Sequence, residues 1–136
     1  MRVFLDANIL FSAAKSNGAV RELLVRLRAA GHILCADEYV LAEARRNLER
    51  KGAEAVTDFA RLRDEIDLAP FRPTELPQRA AAALPEKDQP VLAAAIRLRC
   101  DVLVTGDRTH FGKLFGTTIE GVVIHSPRSL AEAVLD

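Results

Sequence analysis

The stretch Val3-Phe4-Leu5-Asp6-Ala7-Asn8 decides the fold. Its first three residues are a β-branched, an aromatic and an aliphatic residue with no polar alternation. Such a run suits a strand buried on both faces, as in a parallel sheet covered by helices. Asp6 follows at once. Similar runs recur at Ile33-Leu34-Cys35, Val102-Leu103-Val104 and Val122-Val123-Ile124, with a weaker candidate at Leu68 to Phe71. Helical patterns lie between them. Val20, Leu23, Leu24 and Leu27 follow i, i+3, i+4, i+7, and Gly31 follows as a stop. A second helix is expected from Glu38 to Lys51, capped by Asp37 and stopped at Gly52. A third is expected over about Ala53 to Ile66, with Val56, Phe59, Ala60 and Arg63 flanking its inner stripe. Pro70, Pro73 and Pro77 mark a surface loop. Short helices are expected at Gln78 to Leu84 and Gln89 to Arg99, the latter with Pro90 in its first turn. The last helix runs from the Ser126-Pro127 start through Leu135. The alternation predicts a three-layer α/β/α fold with a mainly parallel, about five-stranded sheet, in one domain over residues 1–136.

Composition narrows the function classes. Of 136 residues, 49% are apolar and 28% charged, which excludes a disordered chain. Nineteen basic residues balance nineteen acidic ones, so any nucleic acid must be held by a local patch rather than by bulk charge. No apolar run is long enough for a membrane span and no signal peptide opens the chain, so a cytoplasmic protein is expected. Cys35 and Cys100 suit a reducing compartment and read as core residues.

In parallel sheets ligands bind beyond the carboxyl ends of the strands, where the strand order reverses. Asp6 falls there after the first strand, and Asp107 falls there after Val102-Leu103-Val104-Thr105-Gly106. Asp88 opens the helix that leads into that strand. Glu43 sits inside the second helix beside Tyr39, Val40 and Ala44, its apolar face, so its carboxylate borders the interior. Taken singly, each acid also has a plain reading, as a cap, a turn residue or a solvated helix residue. Together, four converging carboxylates need a cation among them, and a set without Cys or His selects Mg2+ or Mn2+. The implied chemistry is phosphodiester hydrolysis. Without metal, such a cluster is expected to titrate as a set, with at least one pKa raised by crowding.

These same segments resemble the PIN domain family, which includes the VapC-type toxin ribonucleases. The resemblance rests on Val3 to Leu10, on Glu43, on the Asp88 to Ala95 segment, on Val104-Thr105-Gly106-Asp107-Arg108-Thr109-His110-Phe111 and on Ile124-His125-Ser126-Pro127. It implies that Asp6, Glu43, Asp88 and Asp107 hold Mg2+ or Mn2+ and cleave RNA, with Asn8 and Thr105 in support. It also implies the toxin of a type II toxin–antitoxin pair, with a cognate antitoxin and a homodimer as partners. The chain departs from the family pattern at Ala7, where a hydroxyl is common, at Gly106, where many toxins have Arg, and at His110, where another acid is common. His110 is therefore read as a turn residue outside the catalytic set.

Lys15, Arg108 and Lys113 are expected in loops at the active edge, as phosphate contacts. Arg46, Asn47 and Arg50 share a helical side with Glu43 and read either as an RNA path or as a solvated face. Aromatics are 5% and tryptophan is absent, so broad base-stacking platforms are not expected. Other functions stay open: a stand-alone PIN nuclease of RNA processing, a receiver-like Mg2+ module, or a catalytically silent binding module. The receiver reading lacks a suitable Lys after Val122-Val123-Ile124.

Overall fold

The chain is described by a computed structural model over residues 1–135; Asp136, the last residue of the expected domain, lies outside the described residues. In chain order the elements are β1 (Arg2–Leu5), α1 (Ala7–Lys15), α2 (Ala19–Ala29), β2 (Ile33–Asp37), α3 (Glu38–Lys51), α4 (Val56–Asp64), β3 (Asp67–Ala69), α5 (Gln78–Ala83), α6 (Gln89–Arg97), β4 (Val102–Val104), α7 (Arg108–Phe111), β5 (Thr118–Ile119), β6 (Val122–His125) and α8 (Pro127–Val134). They form a three-layer α/β/α fold around one sheet of order β3-β2-β1-β4-β6-β5. Every pairing is parallel except β5 with β6. The core is the apolar strand runs themselves, with Val3, Phe4, Leu5, Leu103, Val104 and Ile124 excluded from solvent. Among the described residues no helix is long and apolar enough to cross a membrane.

Four features differ from expectation. First, the sheet has six strands. The sixth, β5, is a two-residue edge strand joined to β6 through Glu120 and Gly121, both in the left-handed region with φ +49° and +83°. Two such residues make the twist-matched hairpin turn, but a Glu at its first position carries no Asn-Gly or Asp-Gly signal. Second, Ala7–Lys15 is a helix for which the sequence reading assigned none. Ala7, Ile9, Leu10, Ala13 and Ala14 are all buried, so the segment is apolar on so much of its circumference that its period is obscured.

Third, the helix expected over Ala53 to Ile66 is a 3-10 turn at Ala53–Ala55 followed by α4. Its inward residues are Ala55, Phe59 and Leu62, whereas Val56 is 58% exposed and Ala60 and Arg63 face solvent. The change of helical pitch at the turn shifts the phase of the stripe. Fourth, the strand candidate at 68–71 is β3, ending at Ala69, because Pro70 has no N–H for a further ladder bond. Helix α3 has the expected bounds, with Asp37 accepting from the Val40 N–H at 3.2 Å.

Candidate metal and active site

Adjacent strands β1 and β4 set the site. Leu5 pairs with Val104, so Asp6 and Thr105 leave the sheet side by side where the strand order reverses. The Asp6 N–H donates to the Val104 carbonyl at 3.1 Å. Asp6 then caps α1: its Oδ1 accepts from the Ala7 N–H at 2.7 Å. Its Oδ2 accepts from the Thr105 hydroxyl at 2.8 Å and from the Asn8 side-chain amide at 3.3 Å. The Thr105 hydroxyl in turn accepts from the Asp107 N–H at 3.1 Å, and Asn8 Oδ1 accepts from the Gly106 N–H at 2.8 Å. One network thus fixes the loops after β1 and β4 against each other.

Asp6, Ala7, Asn8, Glu43, Asn47, Lys87, Asp88 and Asp107 line one cleft of about 90 Å3. All four acids singled out from the sequence therefore meet there. Glu43 is half-buried on α3, on the same side as the buried Val40 and Ala44. Asp88 ends a 3-10 turn at Glu86–Asp88 and precedes α6, yet its side chain makes no capping bond. Its Oδ2 lies 2.9 Å from His110 Nδ1, which lies 2.8 Å from Asp107 Oδ2. Asp88 Oδ2 and His110 Nδ1 are nevertheless buried atoms without a hydrogen-bond partner.

His110 belongs to this cluster and is more than a turn residue. Asp107 caps α7 through the His110 N–H at 3.1 Å, and the resulting turn carries the imidazole back to both carboxylates. The i, i+3 spacing from Asp107 was the signal in the sequence. One ligand atom each from Asp88, Asp107 and His110 lies within 4.8 Å of the others.

Burial and charge act together on the cleft. Asp6 is 4% exposed, and its pKa is pushed up to about 6. Burial is the largest cause; the Thr105 and Ala7 hydrogen bonds oppose it, and the charges of Glu43 and Asp88 add to it. The Asp88 pKa is also raised, first by burial, with His110 opposing and Asp107 adding. A raised pKa was expected from crowding; desolvation is the stronger cause. Asp37, at the end of β2, stays out of the cleft: it caps α3 and its other oxygen faces Arg97 at 3.8 Å.

The donor set fits a divalent cation. Asp6, Glu43, Asp88 and Asp107 line one small space, and Asp88 Oδ2 there and the neighbouring His110 Nδ1 are buried without partners. Oxygen ligands suit Mg2+ and Mn2+, and one imidazole nitrogen tilts the set toward the softer ion.

The expected phosphate contacts divide. Lys15 lies at the far end of α1, about 13 Å of helix beyond Asp6, with its ammonium 5.3 Å from the Phe11 ring centre. It is not at the active edge, because the segment expected to be a loop is a helix. Arg108 and Lys113 are exposed, on α7 and the 3-10 turn after it, in the chain that follows Asp107. Asn47 lines the cleft, whereas Arg46 and Arg50 are exposed.

A family profile described as the PIN domain matches residues 2–109. The chain belongs to the PIN domain family. None of the curated proteins matches it. Among solved structures it is similar to VapBC2 from Rickettsia felis bound to a promoter DNA fragment, at 17% identity and TM-score 0.70, covering 93% of this chain and 98% of that one. It is similar to VapBC-1 from nontypeable Haemophilus influenzae at 14% identity and TM-score 0.61, covering 94% and 99%. It is also similar to Mycobacterium tuberculosis VapC20, a sarcin-ricin loop cleaving toxin, at 15% identity and TM-score 0.55, covering 79% and 91%. At these identities the likeness is one of PIN fold.

Proposed function

We propose that this PIN domain is a divalent-metal-dependent endoribonuclease and the toxin of a type II toxin–antitoxin pair. The observation that carries the reading is the meeting of Asp6, Glu43, Asp88 and Asp107 in one cleft at the switch point of the sheet. The toxin assignment draws its support from the PIN profile and from the VapC and VapBC structures that share the fold. In this reading residues 1–136 act as one cytoplasmic domain, RNA is the substrate, and an antitoxin and a second copy of the chain are the protein partners.

Asp6, Glu43, Asp88 and Asp107 would hold Mg2+ or Mn2+, with His110 Nδ1 close to Asp88 and Asp107 as a further ligand. When bound, the ion supplies charge stabilisation at the phosphate and lowers the pKa of water. The chain's own contribution is placement. Thr105, Asn8 and the Ala7 N–H fix both oxygens of Asp6, so the carboxylate needs no reorganisation when substrate arrives. Burial excludes bulk water from Asp6 and strengthens its field. Arg108, which directly follows Asp107, and Lys113, on the 3-10 turn after α7, are exposed and would take flanking phosphates. Hydrolysis forms a bond from water oxygen to phosphorus and breaks one bond from phosphorus to ribose oxygen, with a proton passing to the leaving oxygen.

The test is incubation of purified protein with single-stranded and structured RNA in Mg2+, Mn2+ and chelator, beside Asp6→Asn. Cleavage that needs metal and is lost in the variant is expected. Cleavage in chelator, or failure of the protein to bind either metal, overturns the reading.

A further inference from the structure

We infer that the large cavity next to the acid cleft is a nucleobase subsite whose stacking surface is Phe71, selecting a base with an exocyclic amino group. This rests on the ribonuclease reading above. The cavity holds about 780 Å3, within the range of small-molecule sites. Phe71, Pro73 and Pro90 give it apolar walls, and Glu75, Glu86 and Gln78 give it polar ones.

Three observations point to a base as occupant. First, Phe71 is 42% exposed and is the only aromatic among the large exposed apolar residues described. One face stacks on Tyr39, with ring centres 5.5 Å apart and planes at 30°, and the side chain also lines the cavity. An aromatic supported from behind is a rigid stacking surface.

Second, cavity and cleft share a wall. Within Glu86-Lys87-Asp88-Gln89, Lys87 and Asp88 line the acid cleft while Glu86 and Gln89 line the cavity. The Tyr39 hydroxyl donates to the Lys87 carbonyl at 2.8 Å, and Tyr39 stands one helical turn before Glu43. A phosphate held at the cleft would therefore place the base of a neighbouring nucleotide at Phe71. Third, the charge sorts the parts of the nucleotide. Glu75 and Glu86 repel phosphate from the cavity but accept hydrogen bonds from the amino groups of adenine, guanine or cytosine.

The test is a binding cycle read by fluorescence anisotropy in Ca2+, which takes oxygen ligands but activates water far less than Mn2+, so that binding is read without hydrolysis: a short oligoadenylate, the matching oligouridylate, and an abasic backbone of the same length. Loss of a stacked base costs on the order of five- to a hundred-fold in affinity. Phe71→Ala should weaken oligoadenylate binding by about that factor and leave the abasic backbone unchanged, while Phe71→Trp retains binding. The wild type should bind oligoadenylate more tightly than oligouridylate. Equal losses on oligoadenylate and abasic probes, or no loss on either, would overturn the subsite, as uridylate preference would overturn the amino-group selection. If the wild type meanwhile cleaves RNA in Mn2+ and Asp6→Asn does not, the nuclease reading survives that result. A wild type that neither binds the probes nor cleaves RNA removes both.

Discussion

The Thr105 hydroxyl donates to Asp6 Oδ2 at 2.8 Å and so ties together the ends of the two central strands. Thr105 is fully buried, and its oxygen also accepts from the Asp107 N–H and the Asn8 amide. Thr105→Val keeps the shape and removes all three bonds. Leaving buried polar groups unsatisfied costs about 1–3 kcal/mol each. Because the hydroxyl holds the Asp6 pKa down, its loss should raise that pKa further. The expected result is a lower thermal midpoint and a metal-binding pH profile displaced to higher pH, with Thr105→Ser close to wild type. Calorimetric titration with Mn2+ at several pH values checks it; an unmoved profile would show that the hydroxyl does not tune Asp6.

The metal-free protein should become less stable as pH rises from about 4 to 6. The Asp6 carboxyl keeps its proton up to about pH 6 when folded but releases it near 3.8 when unfolded. Over that interval the folded state binds more protons, so stability falls as pH rises. The contribution is fully present below about pH 4 and gone above about pH 6, and its size is on the order of 2–3 kcal/mol. Burial raises the pKa values of Asp37 and Asp88 in the same direction. Asp6→Asn should flatten the slope measured by scanning calorimetry in chelator. Metal should reverse it, since binding to the ionised carboxylate releases the proton. A wild type and variant with parallel profiles would contradict the assignment of the slope to Asp6.

Much of this site was legible because it sits at strand ends, and strand ends follow from apolar runs. Asp6 and Asp107 needed only the runs at 3–5 and 102–104 and the rule for parallel sheets. Glu43 was legible from its place on the apolar face of a helix with clear start and stop residues. The misses have a common cause, which is that a signal of period two or 3.6 vanishes in segments that are short or buried all round. Helix α1 is buried on most sides, β5 is two residues long, and the turn at 53–55 shifts the phase of α4. Missing α1 misplaced Lys15. His110 was missed because a four-residue helix, α7, brings its ring back to Asp88, which is distant in sequence.

Gly106→Ala should leave stability nearly unchanged and lower activity several-fold. Gly106 needs no left-handed conformation, so alanine brings no backbone strain. Its Cβ would lie 3.3 Å from Asn8 Oδ1, the atom that accepts the Gly106 N–H. Asn8 must give by a few tenths of an ångström, and the amide it directs to Asp6 moves with it. The reduced freedom of the unfolded chain offsets this, at about 0.4–1 kcal/mol. Melting curves and RNA cleavage rates measured together check it. Unchanged activity would show that Asn8 does not position Asp6.

His110→Asp should shift the metal preference from Mn2+ toward Mg2+. With His110 the cluster offers one imidazole nitrogen among carboxylate oxygens. Nitrogen ligation favours the softer ion, whereas an all-oxygen set suits Mg2+. The added carboxylate also raises the negative charge of the cleft, which strengthens binding of both ions, so the ratio of affinities is the informative quantity. That ratio should fall by about ten-fold, within the range found when groups around a metal are changed. His110→Ala separates the two effects: it removes the nitrogen without adding charge and should weaken Mn2+ more than Mg2+. Titration of each variant with each ion by calorimetry gives the ratios. If they match that of the wild type, His110 Nδ1 is not a ligand, and its 2.9 and 2.8 Å approaches to Asp88 and Asp107 serve only to position the two carboxylates.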